Sequence, residues 1–303
     1  MLSAKQWKFE AVARLFLSII LCMFLGSLLF TAFHVGGTKH FYAFYAAFAF
    51  SVGLLLTAVV LLRRPWQVET AVTRLAIVLL CFYGGLLVGA WAQKLAGPPY
   101  GASIAQMIVA AMSFQGAALL LVARFLSEHQ TNWSSAFGFK NQWRQALLLG
   151  FIVACLFLPL GSGLQWLSAK IMLHLPRLHL KPEEQQAVQT LQLAGNWKSR
   201  VVLGVITILL APVAEEVLFR GILYPWIKQL GFPRLALWGT AVIFAAIHMN
   251  VATFLPLACL ALALALLYER TNNLLASITA HALFNGFNFT LLYLFQEQLD
   301  KMT

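Results

Sequence analysis

Apolar residues run through this chain in blocks of about twenty, separated by short polar gaps. The blocks fall at roughly 11–33, 41–62, 72–95, 101–126, 143–168, 200–224, 234–250, 252–268 and 273–296. A helix rises about 1.5 Å per residue, so blocks of this length can cross the roughly 30 Å hydrocarbon layer of a bilayer. The seventh and eighth are short and only HMNVAT divides them, which leaves one of the two open to a tilted or partly re-entrant path. The pattern predicts an all-α fold, a polytopic transmembrane helix bundle of about eight or nine spans. No internal repeat is evident, unlike in repeat-built transporters.

The gaps carry most of the charge, and the number of cations in them alternates in a way that sets orientation. Arg63, Arg64 and Arg74 follow the second block; Arg124, Lys140 and Arg144 follow the fourth; Lys228 and Arg234 follow the sixth; Arg270 follows the eighth. With Lys5, Lys8 and Arg14, these cations put the N-terminus on the cytoplasmic side. The opposite gaps HVGGTKH and QKLAGPPYG hold one Lys each. Residues 169–200 are the exception, a basic loop on the outer side, and long translocated loops obey the charge rule loosely. Within that loop KPEEQQAVQTLQLAG reads as a helix lying on the membrane surface. Pro182 suits its first position, Glu183 and Glu184 its first turn, and Gly195 its stop, with Ala187, Val188, Leu191 and Ala194 as a thin apolar face. The first block is too long for a signal-peptide core and lacks a small-residue cleavage site, so it is expected to stay as a helix.

Composition agrees with this picture. Of 303 residues 61% are hydrophobic and 10% charged, with a mean hydropathy of +0.79. The net charge of +11 follows from membrane topology, and no basic stripe with interleaved aromatics points to nucleic acid. Cys22, Cys81, Cys155 and Cys259 fall in separate apolar blocks without paired spacing, as small packing residues do. The polar gap SEHQTNWSSAFGFKNQWRQ divides the chain into an N-terminal bundle, 1–142, that carries no motif, and a region 143–303 that holds the chemistry.

That chemistry begins at APVAEEVLFRG. Glu215 and Glu216 are the only two of the ten acidic residues placed deep in an apolar block. A charge at mid-bilayer depth costs roughly 2.5–3.5 kcal/mol on insertion scales, so such groups are kept for a reason. Glu216 and Arg220 lie one turn apart on one helix face and can neutralise each other, while Glu215, rotated by about 100°, points at another partner. Pro212 and Pro225 break the backbone ladder on either side. Two blocks later FAAIHMN places Phe244 and His248 four apart, and HALFNGFNF places His281 and Asn285 four apart. Taken singly, Glu216–Arg220 reads equally as a structural ion pair, His248 and Asn285 as interhelical hydrogen bonders and Phe244 as core packing. Together they mark a polar site in the C-terminal spans.

The ordered set EExxxR (Glu215, Glu216, Arg220), FxxxH (Phe244, His248) and HxxxN (His281, Asn285) resembles the CPBP family. That family includes the type II CAAX prenyl endopeptidases and bacteriocin-processing or immunity-type membrane proteins, and the likeness covers about residues 196–292. It implies an intramembrane endopeptidase with its site in a polar cavity between helices, acting on a membrane protein or peptide, in a lipid bilayer. By the resemblance, Glu215 and His248 activate the hydrolytic water, His281 and Asn285 stabilise the oxyanion, and Glu216 and Arg220 support the site. The competing arrangement makes Glu215, His248 and His281 ligands of a divalent metal such as zinc, with one position open for water. The metal-independent scheme is preferred. The absence of HExxH and of a second aspartate beside Asp300 argues against zincin-type and paired-aspartate chemistry. Two rival readings use the same buried groups: an ion- or proton-coupled transporter and a non-catalytic membrane scaffold.

Overall fold

The computed structural model of the chain describes residues 7–32, 41–63, 73, 76–81, 83–85, 87–89, 104–174, 186–192, 194 and 196–302. Among them every regular element is helical. In chain order these are α1 (Phe9–Ala32), α2 (Phe41–Arg63), α3 (Ile104–Glu128), α4 (Trp133–Phe137) and α5 (Trp143–Leu173). They continue as α6 (Gln186–Gln192), α7 (Trp197–Gln229), α8 (Pro233–Ala246), α9 (Val251–Thr271) and α10 (Leu274–Met302). The third apolar block, 72–95, lies partly outside the described residues.

The protein is an all-α polytopic membrane bundle. Among the described residues, five helical stretches are long and apolar enough to cross a bilayer: Phe9–Ser27 of α1, and the whole of α3, α5, α7 and α9. The two short blocks become two separate helices of unequal length. Helix α9 has 21 residues. Helix α8 has 14, which makes it about 21 Å long, short of the roughly 30 Å hydrocarbon layer. It stops at Ala246, and Asn250 then caps α9 by accepting the Thr253 N–H at 3.0 Å. A break thus falls at His248-Met249-Asn250, inside the stretch that carries one of the sequence motifs. A helix does form in the stretch expected to hold one, as α6, packed on α10 with Leu191 buried. Pro182, Glu183, Glu184 and Gly195 lie outside the described residues.

The chain forms two compact units, Lys8–Phe125 and Leu126–Thr303, the latter including the N-terminal residues up to Trp7. In the first, α1 packs on α2 and on α3 around Leu21, Leu55, Ala58, Val78 and Cys81. In the second, α10 and α9 both pack along α5, over a core of Ala146, Phe157, Leu260, Leu264, Leu267, Ala276 and Ala280. Gly150 lets α5 and α10 approach closely, since a Cβ there would sit 2.5 Å from the Ala276 carbonyl oxygen. The turn between α9 and α10 is held by Asn273. Its Oδ1 accepts the Leu275 N–H at 2.9 Å while its Nδ2 donates to the Asn141 carbonyl at 2.6 Å. Helix α7 is irregular in its middle. Ile206–Leu210 and Val217–Leu223 are π-helical, and the α-helical piece between them, Ala211–Glu216, carries both glutamates. Such π segments widen the turn and frequently mark functional sites.

Candidate active site

The acidic pair sits where α7, α8, α9 and α10 meet. Arg220 points back along α7 and donates from Nη1 to Glu216 Oε1 at 2.7 Å, with side-chain exposures of only 3% and 0%. Its Nη2 donates to the Ala261 carbonyl of α9 at 3.0 Å. The guanidinium lies 4.7 Å from the Phe244 ring centroid, a cation–π contact that α8 supplies. Three helices therefore hold one cation. The i, i+4 spacing read from the sequence accounts for the ion pair, but the carbonyl of Ala261 had no signal in the sequence, because any residue type can present a carbonyl.

Glu216 has a second partner. His281 of α10 donates from Nδ1 to the same Oε1 at 2.8 Å, and the ring is 3% exposed. The other ring nitrogen, Nε2, lies 3.9 Å from Glu215 Oε2. Glu215 is the less buried of the two acids, with a side chain 12% exposed. Glu216 is thus locked between Arg220 and His281, whereas Glu215 stands across from His281 at a distance too long for a direct hydrogen bond. That gap is where a small polar molecule can meet both groups.

His248 sits at the end of α8 and is half-buried. Its Nδ1 donates to the Phe244 carbonyl at 2.7 Å. A carbonyl only accepts, so Nδ1 carries a proton, and in that neutral tautomer Nε2 is the acceptor. Phe244 is the residue that pattern reading set aside as packing. It is completely buried and its ring meets His248 at 4.9 Å, His281 at 5.8 Å and Phe219 at 5.2 Å between centroids. One aromatic ring thus spaces Arg220 and both histidines. Asn285, one turn beyond His281, donates from Nδ2 to the Thr207 carbonyl of α7 at 3.0 Å.

The structure therefore brings Glu215, Glu216, Arg220 and His281 into one buried cluster, with Phe244 linking His248 to it and Asn285 on the next turn. Among the described residues, no three His, Cys, Asp or Glu side chains are gathered in a way that could hold a metal ion. A further polar group closes the end of α7, where Lys228 pairs with Glu269 of α9.

Residues 196–287 match the family model described as Type II CAAX prenyl endopeptidase Rce1-like. The whole constellation from Glu215 to Asn285 falls inside that segment, and the CPBP resemblance read from the three motifs is borne out for it. The chain is also similar to the uncharacterized protein YpbD of Bacillus subtilis (strain 168), 38% identical over 77 residues. That match covers 24% of this chain and 36% of YpbD, so the chain spans about a third of the length of the curated relative it matches. No solved structure matches the chain.

Proposed function

We infer, from residues 196–287 being a type II CAAX prenyl endopeptidase-like segment, that this protein is an intramembrane endopeptidase that hydrolyses a peptide bond of a membrane-associated or lipidated substrate. The observation that carries this reading is the buried cluster itself. An arginine held by Glu216 and Ala261 leaves Glu215 facing His281 across 3.9 Å. A structural ion pair alone would need only Glu216 and Arg220.

In the mechanism, Glu215 and His248 take the proton of the attacking water, His248 through the Nε2 left free by its bond to the Phe244 carbonyl. Proton return to the leaving amine follows the same path. The oxyanion is received by His281 and Asn285, which lie one turn apart on α10. For His281 that role requires a proton on Nε2 as well as on Nδ1, the latter being committed to Glu216. Glu216 and Arg220 position His281 and touch no reacting atom. The likeness of residues 196–287 to type II CAAX prenyl endopeptidases supports this choice of substrate class.

The test uses the full chain in lipid nanodiscs with a quenched-fluorescence farnesylated CAAX peptide and the same peptide without its lipid. Cleavage by the wild type and none by Glu215→Gln, at unchanged folded yield, is the expected result. Cleavage retained by Glu215→Gln overturns the assignment of Glu215. No cleavage of either peptide by the wild type overturns the substrate class, and a comparison of membrane peptidomes with and without Glu215→Ala then identifies what accumulates.

A further inference from the structure

Helix α7 changes its hydrogen-bond register just before the acidic pair, and Pro212 sits at the change. Across Ile206–Leu210 the backbone is π-helical, and the Ala211 N–H closes on the Ile206 carbonyl five residues back. Ordinary α-helical pairing gives that N–H to Thr207. The next donor able to reach the Thr207 carbonyl in π register is residue 212, and proline has no N–H. Both intrahelical donors for this carbonyl are therefore used elsewhere or missing. A backbone carbonyl without a partner in a membrane interior is costly, so something else must meet it. Asn285 does, from α10, with Nδ2 at 3.0 Å.

We propose that Pro212 is a positioning residue for Asn285: by supplying no N–H it keeps the Thr207 carbonyl open to the Asn285 amide, which ties down one N–H and directs the other. This deepens the reading of Asn285 as an oxyanion donor and rests on it. A carboxamide nitrogen carries two hydrogens in one plane, so fixing the first fixes the line of the second. It also settles which end of the amide is nitrogen, because a carbonyl accepts and cannot pair with the amide oxygen. An Asn285 released from Thr207 is free to turn that oxygen toward a developing negative charge. The proline on α7 thus aligns a residue of the neighbouring α10, through a bond it declines to make.

The proposal makes a coupling prediction that does not depend on activity alone. The full chain in nanodiscs is measured for kcat and KM on the farnesylated CAAX peptide and for melting temperature, as wild type, Pro212→Ala, Pro212→Ser, Asn285→Ala and Pro212→Ala/Asn285→Ala. Asn285→Ala is expected to lower kcat by about 10²–10³, the range for losing one oxyanion donor, and to lower the melting temperature by orphaning Thr207. Pro212→Ala and Pro212→Ser restore an N–H that competes for Thr207. They are expected to lower kcat by about tenfold or more with KM within about twofold, while the melting temperature stays or rises. In the Pro212→Ala background, Asn285→Ala is expected to lower the melting temperature no further and to leave kcat no lower than Asn285→Ala alone. Wild-type kcat in both proline variants, a lowered melting temperature in both, or an Asn285→Ala destabilisation of equal size in the two backgrounds each overturns the proposal. If the wild type cleaves no peptide, the substrate class fails, and the melting-temperature cycle still decides whether Pro212 and Asn285 are coupled.

Discussion

Replacing Arg220 by Ala tests whether the ion pair supports the site or takes part in the chemistry. The substitution removes the 2.7 Å bond to Glu216, the 3.0 Å bond to the Ala261 carbonyl and the ring contact with Phe244. The largest effect is what stays behind. Glu216 has a side chain with 0% exposure and would keep only His281 as a partner for its charge. Removing one member of a buried pair costs about 3–5 kcal/mol. The charged hydrogen bond to Glu216, about 1.5–3 kcal/mol by itself, is already inside that figure and is not added again. At about 2–4 °C per kcal/mol for a unit of 150–250 residues, the melting temperature should fall by roughly 6–20 °C. The assay is folded yield and melting temperature by size-exclusion chromatography of detergent-solubilised protein, read beside cleavage. Neutralising both partners in Glu216→Gln/Arg220→Leu should destabilise less than Arg220→Ala, because no lone charge remains. Arg220→Lys should fall between, since one ammonium lacks the fork that spans Glu216 and Ala261. Wild-type yield and melting temperature in Arg220→Ala, with cleavage lost, would refute this reasoning and put Arg220 in the chemistry.

Phe244→Ala should cost about 3–5 kcal/mol as a large-to-small change in a fully buried position, and it should reduce kcat in the folded fraction because the ring spaces both histidines; retained kcat per folded molecule would limit Phe244 to packing. Cleavage should survive exhaustive chelation, with no stoichiometric metal in the purified protein by elemental analysis. One equivalent of zinc, with activity lost on chelation and restored on readdition, would turn the mechanism to the metal-bound alternative. For orientation, a membrane-impermeant thiol reagent applied from outside should label a cysteine introduced at Gln185 and spare one at Ser135; the reverse pattern would invert the topology.

The membrane class and the three paired motifs were legible in the sequence because both are local properties. Block length decides whether a helix can cross, and four-residue spacing alone puts Glu216 beside Arg220 and His281 one turn from Asn285. Pro212 also announced an irregularity in α7, because a missing N–H is a covalent fact. The unequal lengths of α8 and α9 were only half legible: the HMNVAT break showed, but which helix was too short to cross did not. What tertiary structure alone decided was which partner each group meets. His281 closes on Glu216 and stands off from Glu215, 65 and 66 positions away in the chain. Arg220 finds the Ala261 carbonyl 41 positions on, and Asn285 finds Thr207 78 positions back. The physical reason is that α7, α9 and α10 are apolar on nearly every side. An amphipathic helix announces its buried face through its pattern, but a helix with no polar face leaves its rotation to side-chain packing against its neighbours. Only that packing turns Glu216 toward His281, leaves Glu215 at the edge of the cluster, and slides Phe244 beneath the arginine.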